Sequence, residues 1–328
     1  MKKNGTSTSS VRTEGGSRPS RAAIVATAQE SIAKGSKSFS AASKLFDRPT
    51  RERAWLLYAW CRKCDDLADG QDHGHALARV DDPQARLAEI EAKTGAALAG
   101  QWVGDPAFDA LRIVAQETRL PPRFARDVVQ GFRLDAAEWR PRSEADLLRY
   151  CYHVAGVVGC MMAVVMGIDP DDEATLDRAC DLGIAFQLAN IARDIEEDDR
   201  GGRCYLPDEW LTEMDFPPGQ HMKPHFRPRL TVLARRLAAM AEEYEASARV
   251  GTTKLPFRSA WAVLAAAGIY GDIARQVAKR GDHAWDSRVR TSKLEKLGWI
   301  ARSWTQARRR ADYAGGERAG HLWVRPRI

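Results

Sequence analysis

Apolar residues recur every three or four positions along most of this chain, and no stretch alternates in the way a half-buried strand requires. Residues 1–20 lack any such period, are rich in Ser, Thr, Gly and basic residues, and are expected to form a disordered tail. Val25, Ala28 and Ile32 then form a first stripe that stops at Lys34-Gly35, a helix-ending pair. A helix is expected from Pro49-Thr50 to Asp69, so apolar through Trp55, Leu56, Tyr58, Ala59 and Trp60 that most of it must be buried. Further helices are expected over 84–98, 107–118, 121–139, 147–167, 174–198, 230–248, 259–279 and 292–313. The pattern predicts an all-α protein, with residues 21–328 as one helical domain.

Two of these helices carry more than a packing face. Ser143-Glu144-Ala145-Asp146 caps a helix in which Ala155, Gly156, Gly159, Ala163 and Gly167 recur at three- and four-residue spacing. Small residues so placed let either a neighbouring helix or a long apolar ligand approach closely. Met161, Met162 and Met166 add adaptable apolar surface, equally suited to a core or a hydrophobic tunnel. The last helix sets Trp299, Ile300 and Trp304 against Arg302 and Arg308-Arg309-Arg310. Such a face suits a membrane interface, but the preferred reading is the polar outer side of an ordinary packed helix.

Composition narrows the class. Hydrophobic residues make up 44% of the 328 and charged residues 29%, as in soluble globular proteins. A net charge of +6 suits an anionic small substrate or an anionic membrane surface, and no nucleic-acid signature accompanies it. The six cysteines lie mostly inside apolar helical patterns and the chain opens without a signal-peptide core, which points to a reducing cytoplasm. Cys61 and Cys64 have no second pair at zinc spacing and are expected to pack. The longest uncharged run, 154–168, falls short of the ~20 residues that span a bilayer, so no transmembrane helix is expected.

The chemistry lies in acidic ladders. Asn190, Asp194 and Asp198 recur every four residues and share one helix face, with Glu197 beside them. Taken alone, such a ladder is as well explained by a solvated helix end as by a hard cation. A second ladder, Asp65 and Asp69, closes the apolar helix that starts near Pro49, while Asp66 is turned away by ~100°. Carboxylates at the end of a buried helix are costly to desolvate without cations. Two ladders therefore favour a site for several Mg²⁺ ions, with Mn²⁺ as the alternative, that clamp a diphosphate; Arg62 and Arg193 would offset the remaining charge. Phe39, Tyr150 and Tyr270 are candidate walls for a carbocation. The polar segment Ser36-Lys37-Ser38-Phe39 either greets a phosphate or, preferably, caps the next helix. Arg133 and Asp135 either bind substrate or, preferably, pair on the surface, and His73 and His75 are expected to sit in a polar surface loop.

In order, GSKSFS, YAWCRKCDDLAD, RYCYHVAGVVG, ATLDRACDLGIAFQLANIARDIEED, GRCYLP, LPFRSAWA and the terminal HLWVRP resemble the squalene/phytoene synthase family of head-to-head isoprenyl diphosphate synthases. The likeness runs from Gly35 to the end and is strongest to the bacterial phytoene-forming branch. It implies the isoprenoid synthase fold, a single bundle around a central apolar cavity with two facing Asp-rich helices. It also implies Asp65, Asp69, Asn190, Asp194 and Asp198 as metal ligands. By the same resemblance Ser36, Lys37, Arg62, Gln187, Arg193 and Arg288 contact diphosphate, and Phe39, Val154, Val158 and Tyr270 line the pocket. Asp65, Asp69, Asp194, Asp198 and Tyr150 would be catalytic.

The implied reaction joins two geranylgeranyl diphosphates through prephytoene diphosphate to phytoene. Released diphosphate is the expected base, helped by Tyr150 or Asp65. No GxGxxG follows a strand pattern, so no NADPH is expected. A cytoplasmic enzyme, associated peripherally with membrane and with later carotenoid enzymes, fits so apolar a product. The rivals are a sister enzyme using farnesyl diphosphate, a terpene cyclase, and a non-catalytic helical assembly protein.

Overall fold

The computed structural model describes residues 18–69, 82–313 and 315–327, without the side chains of Lys37, Ser38, Ala41 and Asp69. The tail expected at the N-terminus falls mostly outside that range, as does the loop with His73 and His75. Thirteen α-helices occur among the described residues, and no strand. The first six are α1 (Arg21–Gly35), α2 (Lys37–Ser43), α3 (Arg48–Asp69), α4 (Pro83–Leu98), α5 (Pro106–Thr118) and α6 (Pro122–Ala136). The next four are α7 (Glu144–Cys151), α8 (Val157–Val165), α9 (Glu173–Arg200) and α10 (Asp208–Glu213). The last three are α11 (Arg227–Gly251), α12 (Phe257–Arg280) and α13 (Lys293–Arg308).

Helix starts follow side-chain chemistry. Ser20, Asp82, Asp105, Ser143, Asp172 and Ser292 each accept a backbone N–H from the first turn of the helix they precede. Such a cap contributes about 1 kcal/mol. Ser292 and Glu295 complete a capping box at α13. The short α10 is not apparent in the apolar pattern; one turn and a half gives too few positions to establish a period.

α9 is the axis of the molecule, packed against α8, α11 and α12. Gly156, Gly159 and Gly183 explain how closely α8 approaches it. A Cβ on Gly183 would stand 2.2 Å from the Ala155 carbonyl oxygen, and one on Gly159 would stand 2.2 Å from that of Ala179. The small-residue stripe therefore brings two helix backbones into contact. Ala155, Gly159 and Ala163 also border the cavity described below, so the stripe serves neighbour and cavity together.

Between α7 and α8 the helix widens into a π turn over Tyr152–Gly156, in which the Val157 N–H donates to the Tyr152 carbonyl. Such turns arise where one extra residue is accommodated within a helix. Tyr152 Oη donates to Asp127 Oδ2 at 2.5 Å, and the His153 ring nitrogen lies 2.9 Å from the Asp127 carbonyl, pinning the turn to α6. The continuous run Glu144–Val165 is long and apolar enough to cross a bilayer by length and composition. Its burial against α6 and α9 accounts for that apolarity. All six cysteines are free, and Cys64 is buried in the core as expected.

The outer face of α13 departs from the preferred expectation of a polar surface. Leu294 is 81% exposed, Leu297 60% and Trp304 40%, on a helix flanked by Lys and Arg. Trp299 turns inward instead: its ring packs on Gly268 of α12 and its indole N–H donates to Asp272.

Candidate active site

A cavity of about 590 Å³ lies between α2, α3, α6, α7–α8, α9, α11 and α12. Its acidic end is bordered by Asp65 from α3, Asp135 from α6 and Asn190 from α9. From there its walls are mainly apolar, with Gln187, Thr175, Arg178 and Thr252 as the polar exceptions. Tyr150, Val154 and Val158, four residues apart and carried through the π turn, all face it, as do Phe39, Gln187 and Tyr270. Five residues named for pocket or catalysis from the sequence thus share one wall system with Asp65, Gln187 and Asn190.

The aromatic groups are held in pairs. Tyr270 stacks on Phe186 with centroids 4.3 Å apart, and Tyr150 on Tyr205 at 4.8 Å, while Trp139 lies 5.8 Å from Tyr150 on a nearly parallel plane. The Tyr150 hydroxyl donates to Asp135 Oδ1 at 3.1 Å. Burial, reinforced by the Asp135 charge, pushes the Tyr150 phenol well above its usual pKa, so it remains a neutral donor.

Basic residues crowd the second ladder. Arg193 forks onto Asp194, with Nε to Oδ1 at 2.7 Å and Nη2 to Oδ2 at 2.5 Å. Arg288 reaches the same carboxylate at 3.0 Å and also bonds Glu197. Arg62 pairs with Asp66 at 2.7 Å, and its approach to Asp65 is 4.0 Å. Burial, followed by the Asp194 charge, pushes Asp198 up to about 7, against the opposing pull of Arg203 and Arg193. Ser36 behaves as a helix cap, its Oγ accepting the Phe39 N–H at 3.3 Å. The side chains of Lys37 and Asp69, both named from the sequence, lie outside the described set.

The residues suit a hard divalent cation. The available donors, Asp65, Asn190, Asp194 and Asp198, present oxygen only, and Asp198 sits where its negative charge is poorly solvated until a cation arrives. Among the described residues no three His, Cys, Asp or Glu side chains close on one point.

Asp135 corrects the expected surface pair. Arg133 instead reaches Glu91 on α4, while Asp135 faces the cavity beside Tyr150. Its signal was legible: Val128, Phe132 and Asp135 lie at helical spacing on one face, and all three border the cavity. That face changes from apolar to acidic at its end, as α3 and α9 do. Tyr205 and Phe186 were also missed, because stacking partners from distant segments leave no local pattern.

Residues 32–295 match the family model described as squalene/phytoene synthase. The chain is 46% identical over 301 residues to a 15-cis-phytoene synthase of Pantoea ananas, covering 91% of this chain and 97% of that protein. It is equally identical, over 304 residues, to a 15-cis-phytoene synthase of a Paracoccus species, covering 92% and 98%. Among solved structures, a dehydrosqualene synthase crystallised with a ligand superposes with a TM-score of 0.79 at 28% identity, over 88% of this chain and 98% of that one. A squalene synthase from Alicyclobacillus acidocaldarius shares the fold, with a TM-score of 0.64 at 22% identity over 88% and 94%. Matched over residues 32–295 by the family model and along nearly its whole length by these relatives, the chain belongs to the squalene/phytoene synthase family.

Proposed function

We propose that the protein is a prenyltransferase that condenses two geranylgeranyl diphosphates head to head into phytoene. The observation that carries this is the continuity of one cavity, from Asp65, Asp135 and Asn190 into apolar walls on α8, α9 and α12. A diphosphate needs the first end and a long hydrocarbon the second. The 46% identity to 15-cis-phytoene synthases over most of both chains favours the forty-carbon product over the thirty-carbon one.

Asp65, Asp69, Asn190, Asp194 and Asp198 would hold Mg²⁺, which when bound neutralises diphosphate charge and helps it leave. Arg193 and Arg288 now hold Asp194, and they stand ready to turn toward phosphate oxygens as substrate enters. Ser36, Lys37, Arg62 and Gln187 are proposed as further diphosphate contacts. Loss of the first diphosphate leaves an allylic cation, which the double bond of the second substrate attacks to close a cyclopropane with loss of one proton. Ionisation of that diphosphate, rearrangement to the 1-1′ bond and loss of a second proton give the hydrocarbon. Two diphosphates and two protons are thus released per product. Tyr150, Tyr205, Phe186 and Tyr270 offer neutral aromatic faces to the cation. Departing diphosphate, an anion already beside the cation, accepts the protons.

The exposed apolar stripe of α13, Leu294, Leu297 and Trp304 among Lys293, Lys296, Arg302 and Arg308, would rest on an anionic membrane surface. α13 packs directly on α12, itself a cavity wall, so the docked surface would lie one helix from the hydrocarbon. The reaction is tested by incubating purified protein with geranylgeranyl diphosphate and Mg²⁺, without nicotinamide cofactor, and counting diphosphate against hydrocarbon. Two diphosphates per forty-carbon product, abolished by EDTA, are expected. One diphosphate per twenty-carbon product would make the protein a cyclase instead.

A further inference from the structure

A charged side chain, Arg178, borders the end of the cavity away from the acidic mouth. Along α9 the bordering residues run from Asn190 through Gln187, Gly183 and Ala179 to Arg178 and Thr175. The twelve-residue interval from Asn190 to Arg178 corresponds to ~18 Å of helix. α8 runs antiparallel beside it, since Ala155 meets Gly183 and Gly159 meets Ala179. Tyr150 therefore belongs to the acidic end, and Met166 to the end where Arg178 stands.

Arg178 is fastened from two directions. Its Nη1 donates to the Ser247 carbonyl at 3.1 Å and to Ser247 Oγ at 3.4 Å, and its Nη2 donates to the Gly316 carbonyl. Ser247 in turn donates to buried Asp181 at 2.5 Å, and Arg318 forks onto the same carboxylate at 2.9 and 2.7 Å. The floor of the cavity is thus tied to α11 and to the C-terminal segment. Gly251 keeps the side chain close to α11, because a Cβ there would stand 2.8 Å from Arg178 Cβ. Arg178 is only partly buried, and Met166, Thr175 and Thr252 border the cavity with it.

We propose that Arg178, locked by Ser247 and the Gly316 carbonyl, is the depth stop that sets the length of isoprenoid the cavity accepts. A hydrocarbon tip advancing along α9 meets a guanidinium whose two terminal nitrogens already donate to Ser247 and the Gly316 carbonyl, and it can pass only by breaking those bonds without replacing them. An apolar floor would yield by rotamer changes; this one does not. The inference rests on the proposed isoprenyl diphosphate substrate and adds a residue that fixes its size.

The test is competition between the twenty-carbon and twenty-five-carbon allylic diphosphates, read as the ratio of kcat/KM values for the unmodified protein, Arg178→Ala and Arg178→Gln. Circular dichroism confirms folding of each. Selectivity for the shorter substrate is expected to fall at least about tenfold in Arg178→Ala, the scale on which pockets discriminate added hydrocarbon, and less in Arg178→Gln, which keeps one donor. A role confined to stability would lower both rates together and leave the ratio alone. Unchanged ratios in folded variants overturn the depth stop while leaving the proposed reaction intact. Failure of the unmodified protein to turn over either substrate removes the reaction itself, and the inference with it.

Discussion

Asp194 occupies the centre of the site's charge: two arginines hold its carboxylate, and it stands one turn from both Asn190 and Asp198. Asp194→Ala is expected to reduce turnover at least about hundredfold, with an unchanged far-ultraviolet dichroism spectrum. Retained turnover would remove it from the metal set. Asp198 adds a pH signature. Its folded-state pKa, pushed up to about 7 from 3.8, means that the folded protein binds a proton more tightly than the unfolded chain. Metal-free stability from this group is therefore fully present below pH ~4 and lost as pH rises through ~7. Thermal melts from pH 4 to 8 should show a decline that Asp198→Asn lacks and that saturating Mg²⁺ offsets; parallel curves for the two proteins would contradict it. The ladders were visible because they repeat within one helix. Asp135 is harder to read because its neighbour Arg133 offers a plausible partner, and only its spacing from Val128 and Phe132 points it into the cavity.

Helix scale separates glycines that permit contact from those that do not. Gly183→Ala inserts a methyl into the Ala155 carbonyl and should cost roughly 1–3 kcal/mol, by the usual cost of overpacking. Gly95→Ala, with nothing within 4 Å of the new Cβ, should stabilise by about 0.5–1 kcal/mol through helix propensity. Urea denaturation of both variants checks the opposite signs. On α13, Leu294→Glu with Leu297→Glu should abolish flotation with anionic liposomes at low salt without altering the melting temperature. Unaltered flotation of this double variant would assign membrane contact to another face. Most helices were legible from their period and capping residues, whereas the π turn over Tyr152–Gly156 was not. An extra residue per turn changes the hydrogen-bond register but barely disturbs an already apolar run.

For the whole molecule, the C-terminal segment is fastened to the back of α9 by three arginines. Arg318 holds Asp181, Arg325 bonds Glu173 and approaches Asp177 at 2.8 Å, and Arg327 reaches Asp177 at 2.6 Å. Arg325 has a fully buried side chain, and Arg325→Ala removes its bond to Glu173 while Arg123 still holds Glu173 and Arg327 still holds Asp177, so the change should cost about 1–3 kcal/mol. A chemical melt that moved by less than 1 kcal/mol would mean water replaces the guanidinium. None of these pairs was legible beforehand, since partners some 140 to 150 residues apart leave no periodic trace. The bundle and its acidic mouth were, because helix period and ladder spacing are local. What most directly tests the molecule as a whole is the hydrocarbon it makes from an equimolar mixture of geranylgeranyl and farnesyl diphosphates with Mg²⁺ and no NADPH. Phytoene as the main product, lost in Asp194→Ala, is expected; a thirty-carbon product, or none from folded protein, would contradict the assignment of this cavity to forty-carbon synthesis.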